Sequence, residues 1–115
     1  MKKDILIMCP DANTPCVVKY SSIRDFFVDL SDEASAETDE GLYGVFVHYN
    51  SMSTEGDYDE LLTFKSLKSA AAFLNALIYK IVDILNELED GEITRLNLTE
   101  LIKEKDLVSE YYFTK

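Results

Sequence analysis

Chemistry-bearing residues are scarce in this chain. Among 115 residues there are one histidine, two cysteines and four glycines, and each shortage closes off a class of function. The four glycines form no phosphate-cradling loop of the kind that nucleotide-binding motifs require. Cys9 and Cys16 are too few for a disulfide scaffold. They flank a Pro-Asp-Ala-Asn-Thr-Pro connector, so they could face each other across a hairpin, with two buried thiols as the default in a reducing compartment. Together with His48 they offer three zinc ligands at most, without the paired Cys-x2-Cys spacing of a zinc site. His48 stands between Val47 and Tyr49 in a β-prone run, with no Ser-His-Asp constellation around it, and its expected role is structural. Cys9 closes an apolar run, but Cys-Pro-Asp matches no motif with a mechanism. Glu55, Asp57, Asp59 and Glu60 could attract calcium, yet their glycine precedes the aspartates and the EF-hand pattern is absent. No catalytic residue, metal site or cofactor is expected, and the chain is expected not to be an enzyme. The rival reading, a small enzyme or metal-dependent regulator, would have to use Cys9, Cys16 or His48.

Long uninterrupted apolar runs are missing too. Ile5 to Cys9 is too brief for a secretory core, and Leu67 to Leu88 contains Lys68, Lys80 and Asp83, which argues against a membrane span. A cytoplasmic location is therefore expected.

The most informative absence is that of positive charge. From Asp25 to Phe64 there is no lysine or arginine, while Asp25, Asp29, Asp32, Glu33, Glu37, Asp39, Glu40, Glu55, Asp57, Asp59 and Glu60 all fall in that stretch. Outside it, eleven Lys and Arg balance eleven Asp and Glu, so the net charge of -11 resides in these forty residues. Charge of this sign repels nucleic acid and anionic lipid. Lys2, Lys3, Lys19, Lys65, Lys68 and Lys80 are scattered and form no basic patch, so direct binding to nucleic acid or membrane is not expected.

What is present is a core. The chain is 47% hydrophobic and 11% aromatic, enough for one α+β domain over 1–115 that needs neither metal nor disulfides. Asp4 to Cys9 reads as a strand covered on both faces, and Cys16 to Tyr20 as a short antiparallel partner, an edge. Ser22-Ile-Arg-Asp25 has the form of a capping box, and Ile23, Phe26, Phe27, Leu30 and Ala34 follow at helical spacing. That predicts an amphipathic helix over about 22–34, with Asp25, Asp29 and Asp32 at i, i+4 and i+7 on its solvent side. Ser31 to Gly41 and Ser51 to Asp57 read as polar loops. Leu42 to Asn50 predicts a central strand and Tyr58 to Phe64 its hairpin partner. Ser66 to Asp90 is the longest regular element, a helix with Ser66 as cap and Gly91 at its end. Its stripe runs through Leu67, Ala70, Ala71, Leu74, Leu77, Ile78, Ile81, Leu85 and Leu88, and Phe73, Val82 and Ile84 widen it. The surplus apolar surface must be covered by the C-terminal segment or by a second copy of the chain. Ile93 to Leu96 predicts a short strand, Asn97-Leu-Thr-Glu100 a further helix start, and Leu107 to Thr114 a last strand. The expected fold is a mostly antiparallel four- to five-stranded sheet, in the order β-β-α-β-β-α-α/β, packed on the long and the short helix.

Segregated carboxylates create a local field that survives screening over about 8 Å at physiological salt and accelerates encounter with cationic surfaces. The eleven acidic residues named above are therefore the candidate partner-binding set, and the basic groove of a nucleic-acid-handling protein is the expected partner. In size, charge and lack of catalytic motifs the chain resembles the small acidic proteins that phages use against host defences, among them anti-CRISPR and DNA-mimic anti-restriction proteins. The resemblance is one of type, carried by no shared motif, and it implies a non-enzymatic inhibitor. An immunity protein that neutralises a nuclease toxin would use the same electrostatics. A homo-oligomer joined through the long helix is a third expectation.

Overall fold

A computed structural model describes residues 2–9, 16–31, 42–50 and 58–112. Its architecture is α+β, as the sequence predicts, with the elements β1 (Asp4–Cys9), β2 (Cys16–Lys19), β3 (Ile23–Leu30), β4 (Tyr43–Tyr49), β5 (Asp59–Phe64), α1 (Leu67–Glu87), β6 (Ile93–Asn97), α2 (Leu98–Glu104) and β7 (Tyr111–Tyr112). The strands form two sheets instead of the single one expected. One has the order β2-β1-β6 and the other β3-β4-β5-β7. All pairings are antiparallel except β1 with β6, which run parallel.

The apolar run of β1 explains its central position. Ile5, Ile7 and Cys9 alternate onto one face and are at most 1% exposed, while Leu6 and Met8 on the other face are half-buried. A strand so apolar is stable only with neighbours on both edges. β2 supplies one edge, with Cys16 opposite Cys9 as the hairpin reading requires, and β6 supplies the other, with Leu96 opposite Ile7. At its start Asp4 is almost buried, and its carboxylate accepts from the Ile5 amide at 2.9 Å, the Ser21 amide at 2.9 Å and the Ser21 hydroxyl at 2.7 Å. Burial pushes its pKa up, but these bonds outweigh burial and hold it below the ordinary carboxylate value.

The largest departure from expectation is the helix predicted over 22–34. Residues Ile23–Leu30 are a strand, and Ser22 is no cap, since its hydroxyl donates to the Lys19 carbonyl in a short turn before it. Two features disguise the strand. The register shifts between Ile23 and Asp25, so Arg24 is an extra residue that breaks the two-residue period. Phe27 then points to the outer face with Asp25 and Asp29, while Phe26 and Val28 face the core. The apolar spacing of Ile23, Phe26, Phe27 and Leu30 therefore mimics a helical stripe, although β-branched and aromatic residues favour the strand.

α1 begins as predicted, the Ser66 hydroxyl accepting from the Ser69 amide at 3.1 Å. It ends at Glu87, three residues earlier than expected. Leu88 is already extended, and a turn closed by the Glu92 amide on the Glu89 carbonyl at 3.0 Å follows. Gly91 has φ 83° in that turn, a conformation glycine adopts without strain. The Lys3 ammonium donates to the Leu85 carbonyl at 2.8 Å, satisfying a terminal acceptor of the helix. Phe73, Leu77 and Ala70 are fully buried, Ile81 is nearly so, and the Phe73 ring lies 5.2 Å from that of Phe64. Phe73 is thus central to the buried stripe, whereas Leu67 and Ile78, assigned to it by the sequence, are 52% and 44% exposed. By length and composition alone α1 could cross a bilayer, but in this fold its inner face is packed on the β3-β4-β5 sheet.

β6 and α2 fall where the sequence predicts them. The Asn97 side chain caps α2, accepting from the Thr99 amide at 2.9 Å and the Glu100 amide at 3.3 Å, and Leu98, Leu101 and Ile102 pack into the same core as β1. β7 adds to the free edge of β5, with Tyr111 opposite Phe64.

Candidate functional site

Because α1 covers only one face of the β3-β4-β5-β7 sheet, the opposite face must be built by the strands themselves. Alternation brings Asp25, Phe27 and Asp29 of β3 beside His48, Phe46 and Gly44 of β4, each pair in register. The rings form one cluster. Phe27 stacks on Phe46 with centroids 5.1 Å apart and on His48 at 4.6 Å, and Tyr58 sets its edge against Phe46 at 5.2 Å and against Phe27 at 5.9 Å. Phe46 is only 1% exposed, although among the described residues no helix lies over it.

Around these rings stand carboxylates. Asp25 Oδ1 is 2.6 Å from His48 Nδ1, and its other oxygen accepts from Arg24 Nε at 3.2 Å. The bond to His48, assisted by Arg24, holds the Asp25 carboxyl below its ordinary value. Asp29 is exposed and accepts from the following amide of Leu30 at 2.8 Å. The Glu60 carboxylate accepts from the Ser31 hydroxyl at 2.5 Å and the Thr63 hydroxyl at 2.6 Å. It lies across Gly44, where an added Cβ would collide with it and with the Phe46 ring. No lysine occurs in β3, β4, β5 or β7, and Arg24 is the one arginine.

The structure thus gathers Asp25, Asp29 and Glu60 of the predicted set on one face. Asp59 turns to the other face, where it accepts from the Tyr49 hydroxyl at 2.7 Å. Asp32, Glu33, Glu37, Asp39, Glu40, Glu55 and Asp57, with both polar loops, lie outside the described residues. The predicted helical row of carboxylates does not exist. On an extended chain Asp25 and Asp29 are separated by about 13 Å, so their mutual repulsion is much weaker than helical spacing implies.

Sequence reasoning left Phe46 and Tyr58 out of the site, read His48 as structural and placed Phe27 on the apolar face of a helix. The available signal was the alternation Asp25, Phe27, Asp29, which a helical reading conceals. Cys9 belongs to the other sheet from His48, and among the described residues no group of three or more His, Cys, Asp or Glu side chains is placed to hold a metal ion. The chain matches no family model, no curated protein and no solved structure.

Proposed function

We propose that the outer face of the β3-β4-β5 sheet is a docking surface for a cationic protein, and that the chain is a non-enzymatic inhibitor acting on the basic groove of a nucleic-acid-handling protein. The observation that carries this reading is a sheet face that combines three carboxylates with a cluster of four rings, carries no lysine and, among the described residues, has no helix over it. Aromatic residues are what interface centres are enriched in, and the carboxylates supply long-range attraction to lysine- and arginine-rich grooves. From Asp25 on, β3, β4 and β5 are also the strands of the cation-free segment, so the polar connectors between them, with their seven further acids, are attached to this same sheet. A phage-type anti-defence protein is the setting that fits best, and an immunity protein against a nuclease toxin would use the same face.

The test is retention from a bacterial lysate by the immobilised chain, compared with its Asp25→Asn, Asp29→Asn double variant. Nucleic-acid-binding proteins should be retained, released by salt and by competing DNA, and lost on the variant column. Retention that ignores the substitutions, salt and DNA alike would remove the proposal.

A further inference from the structure

The only two cysteines of the chain occupy the two positions of one cross-strand pair. Cys9 ends β1, Cys16 begins β2, and the antiparallel register sets them directly opposite each other. Alternation puts this pair on the core face of its sheet. The next pair on that face, Ile7 with Val18, is buried, whereas the pair between them, Met8 with Val17, falls on the other face, where Val17 is 59% exposed. Opposite residues of an antiparallel pair have Cα atoms about 4.5 or about 5.5 Å apart, according to their hydrogen bonding. Both separations lie within the range of about 4.4 to 6.8 Å that a disulfide bridges. Valine or isoleucine would fill a core position of either strand equally well, so packing alone does not account for a thiol at both positions of the pair.

We infer that Cys9 and Cys16 are a reversible thiol–disulfide couple whose co-reactant is a low-molecular-weight disulfide. Cys9 is 1% exposed, so an external disulfide does not reach it first. Cys16 lies on β2, the edge strand of the β2-β1-β6 sheet, and its thiolate opens the exchange. It attacks one sulfur of the external disulfide, forming a mixed disulfide and releasing one small thiol. The Cys9 thiolate then attacks the Cys16 sulfur of that adduct and expels the second small thiol. The two cysteines together lose two protons and two electrons, which the external disulfide takes up as two thiols. Excess small thiol reverses both steps. The second step needs no rearrangement of the strands, because the register already sets the two residues opposite each other. Fold and redox state are therefore linked: whatever the folded register contributes to closing the disulfide, the disulfide returns to the stability of the fold. In a reducing compartment the dithiol form prevails, and a rise in disulfide concentration closes the bond at the base of the connector 10–15. The couple belongs to the β2-β1-β6 sheet and the proposed docking face to the other, so this inference does not depend on that reading.

Equilibration of the full chain in glutathione buffers of graded thiol-to-disulfide ratio tests this, followed by acid quenching, alkylation of the remaining thiols and mass spectrometry. Cleavage after Lys3 and Lys19 leaves both cysteines on one peptide. The expected oxidised product has lost two hydrogens, carries no glutathione and unfolds at a higher urea concentration than the dithiol form. At a given buffer ratio, the proportion of disulfide to dithiol should be about tenfold or more higher in the folded chain than in the same chain unfolded in urea. A chain that keeps both thiols, or that accumulates glutathione adducts without the internal bond, overturns the inference. So does a disulfide form whose urea midpoint is no higher than that of the dithiol, since the folded register would then not favour the bond. Cys9→Ala, shown to be folded by circular dichroism, should stop the exchange at a glutathione adduct on Cys16. An adduct forming as readily on Cys9 in a folded Cys16→Ala variant overturns the order of attack.

Discussion

The two faces of the β3-β4-β5 sheet are buried by different means. On the inner face, Val45, Val47, Leu62 and Phe64 are covered by α1, and the side chains that cover them are distant in sequence. On the outer face, Phe46 is covered by its neighbours Phe27 and Tyr58, with carboxylates held around the rim by His48, Arg24, Ser31 and Thr63. The inner face follows the usual economy of apolar burial. On the outer one, ring stacking between neighbouring strands helps to bury Phe46, with carboxylates hydrogen-bonded around it.

Substitutions sharpen this contrast. Phe73→Ala, which empties the inner face beneath Phe64, is expected to cost about 3 to 5 kcal/mol in urea unfolding. Gly44→Ala should cost less, about 1 to 3 kcal/mol, because the new methyl forces the Glu60 carboxylate and the Phe46 ring to shift. Phe27→Ala removes a half-buried ring and two stacking contacts, for an expected loss of about 1 to 2 kcal/mol. If Phe27→Ala proved as damaging as Phe73→Ala, the outer cluster would be a second core and no longer a surface.

Acid should separate the faces further. The Asp25 carboxyl is held below its unfolded value by His48 and Arg24, so its contribution is present above pH of about 4 and is lost as the pH falls through the lower folded value. Ring proton signals of Phe27 and Tyr58 should move in that window before those of Phe64 and Phe73. Asp4, also depressed, adds a loss of the same sign in the other sheet, which Asp4→Asn would remove. The smallest expected effect is that of His48→Leu, which should let the Asp25 carboxyl titrate at higher pH, closer to an ordinary carboxylate, read by carboxyl carbon NMR. An unchanged Asp25 titration would show that the imidazole does not hold it.

Much of this fold is legible in the sequence because many of its elements are marked locally. Ser66 and Asn97 announce α1 and α2 by capping chemistry, and the apolar density of Asp4–Cys9 and Tyr43–Tyr49 marks interior strands. What was concealed depended on distant partners. β3 looks helical until Phe46 is known to lie opposite Phe27. The tilt of the buried stripe of α1 from Ile78 toward Phe73 is set by the position of Phe64. The split into two sheets was concealed too, because the first of them includes a parallel pairing between β1 and β6, far apart in sequence. For the candidate site, charge singled out residues that lie on β3 and β5, but the ring cluster beside them is made of residues that read as ordinary core.

That parallel pairing also bears on how the molecule is made. β1 is synthesised well before β6, yet one of its edges belongs to β6, with Asp4 opposite Ile93. A nascent chain must carry this apolar strand half-paired, with β2 alone beside it, until β6 has been synthesised. Its Ile-Leu-Ile-Met run is thus the segment most in need of protection during synthesis, and a chain cut short before Ile93 would keep that edge open.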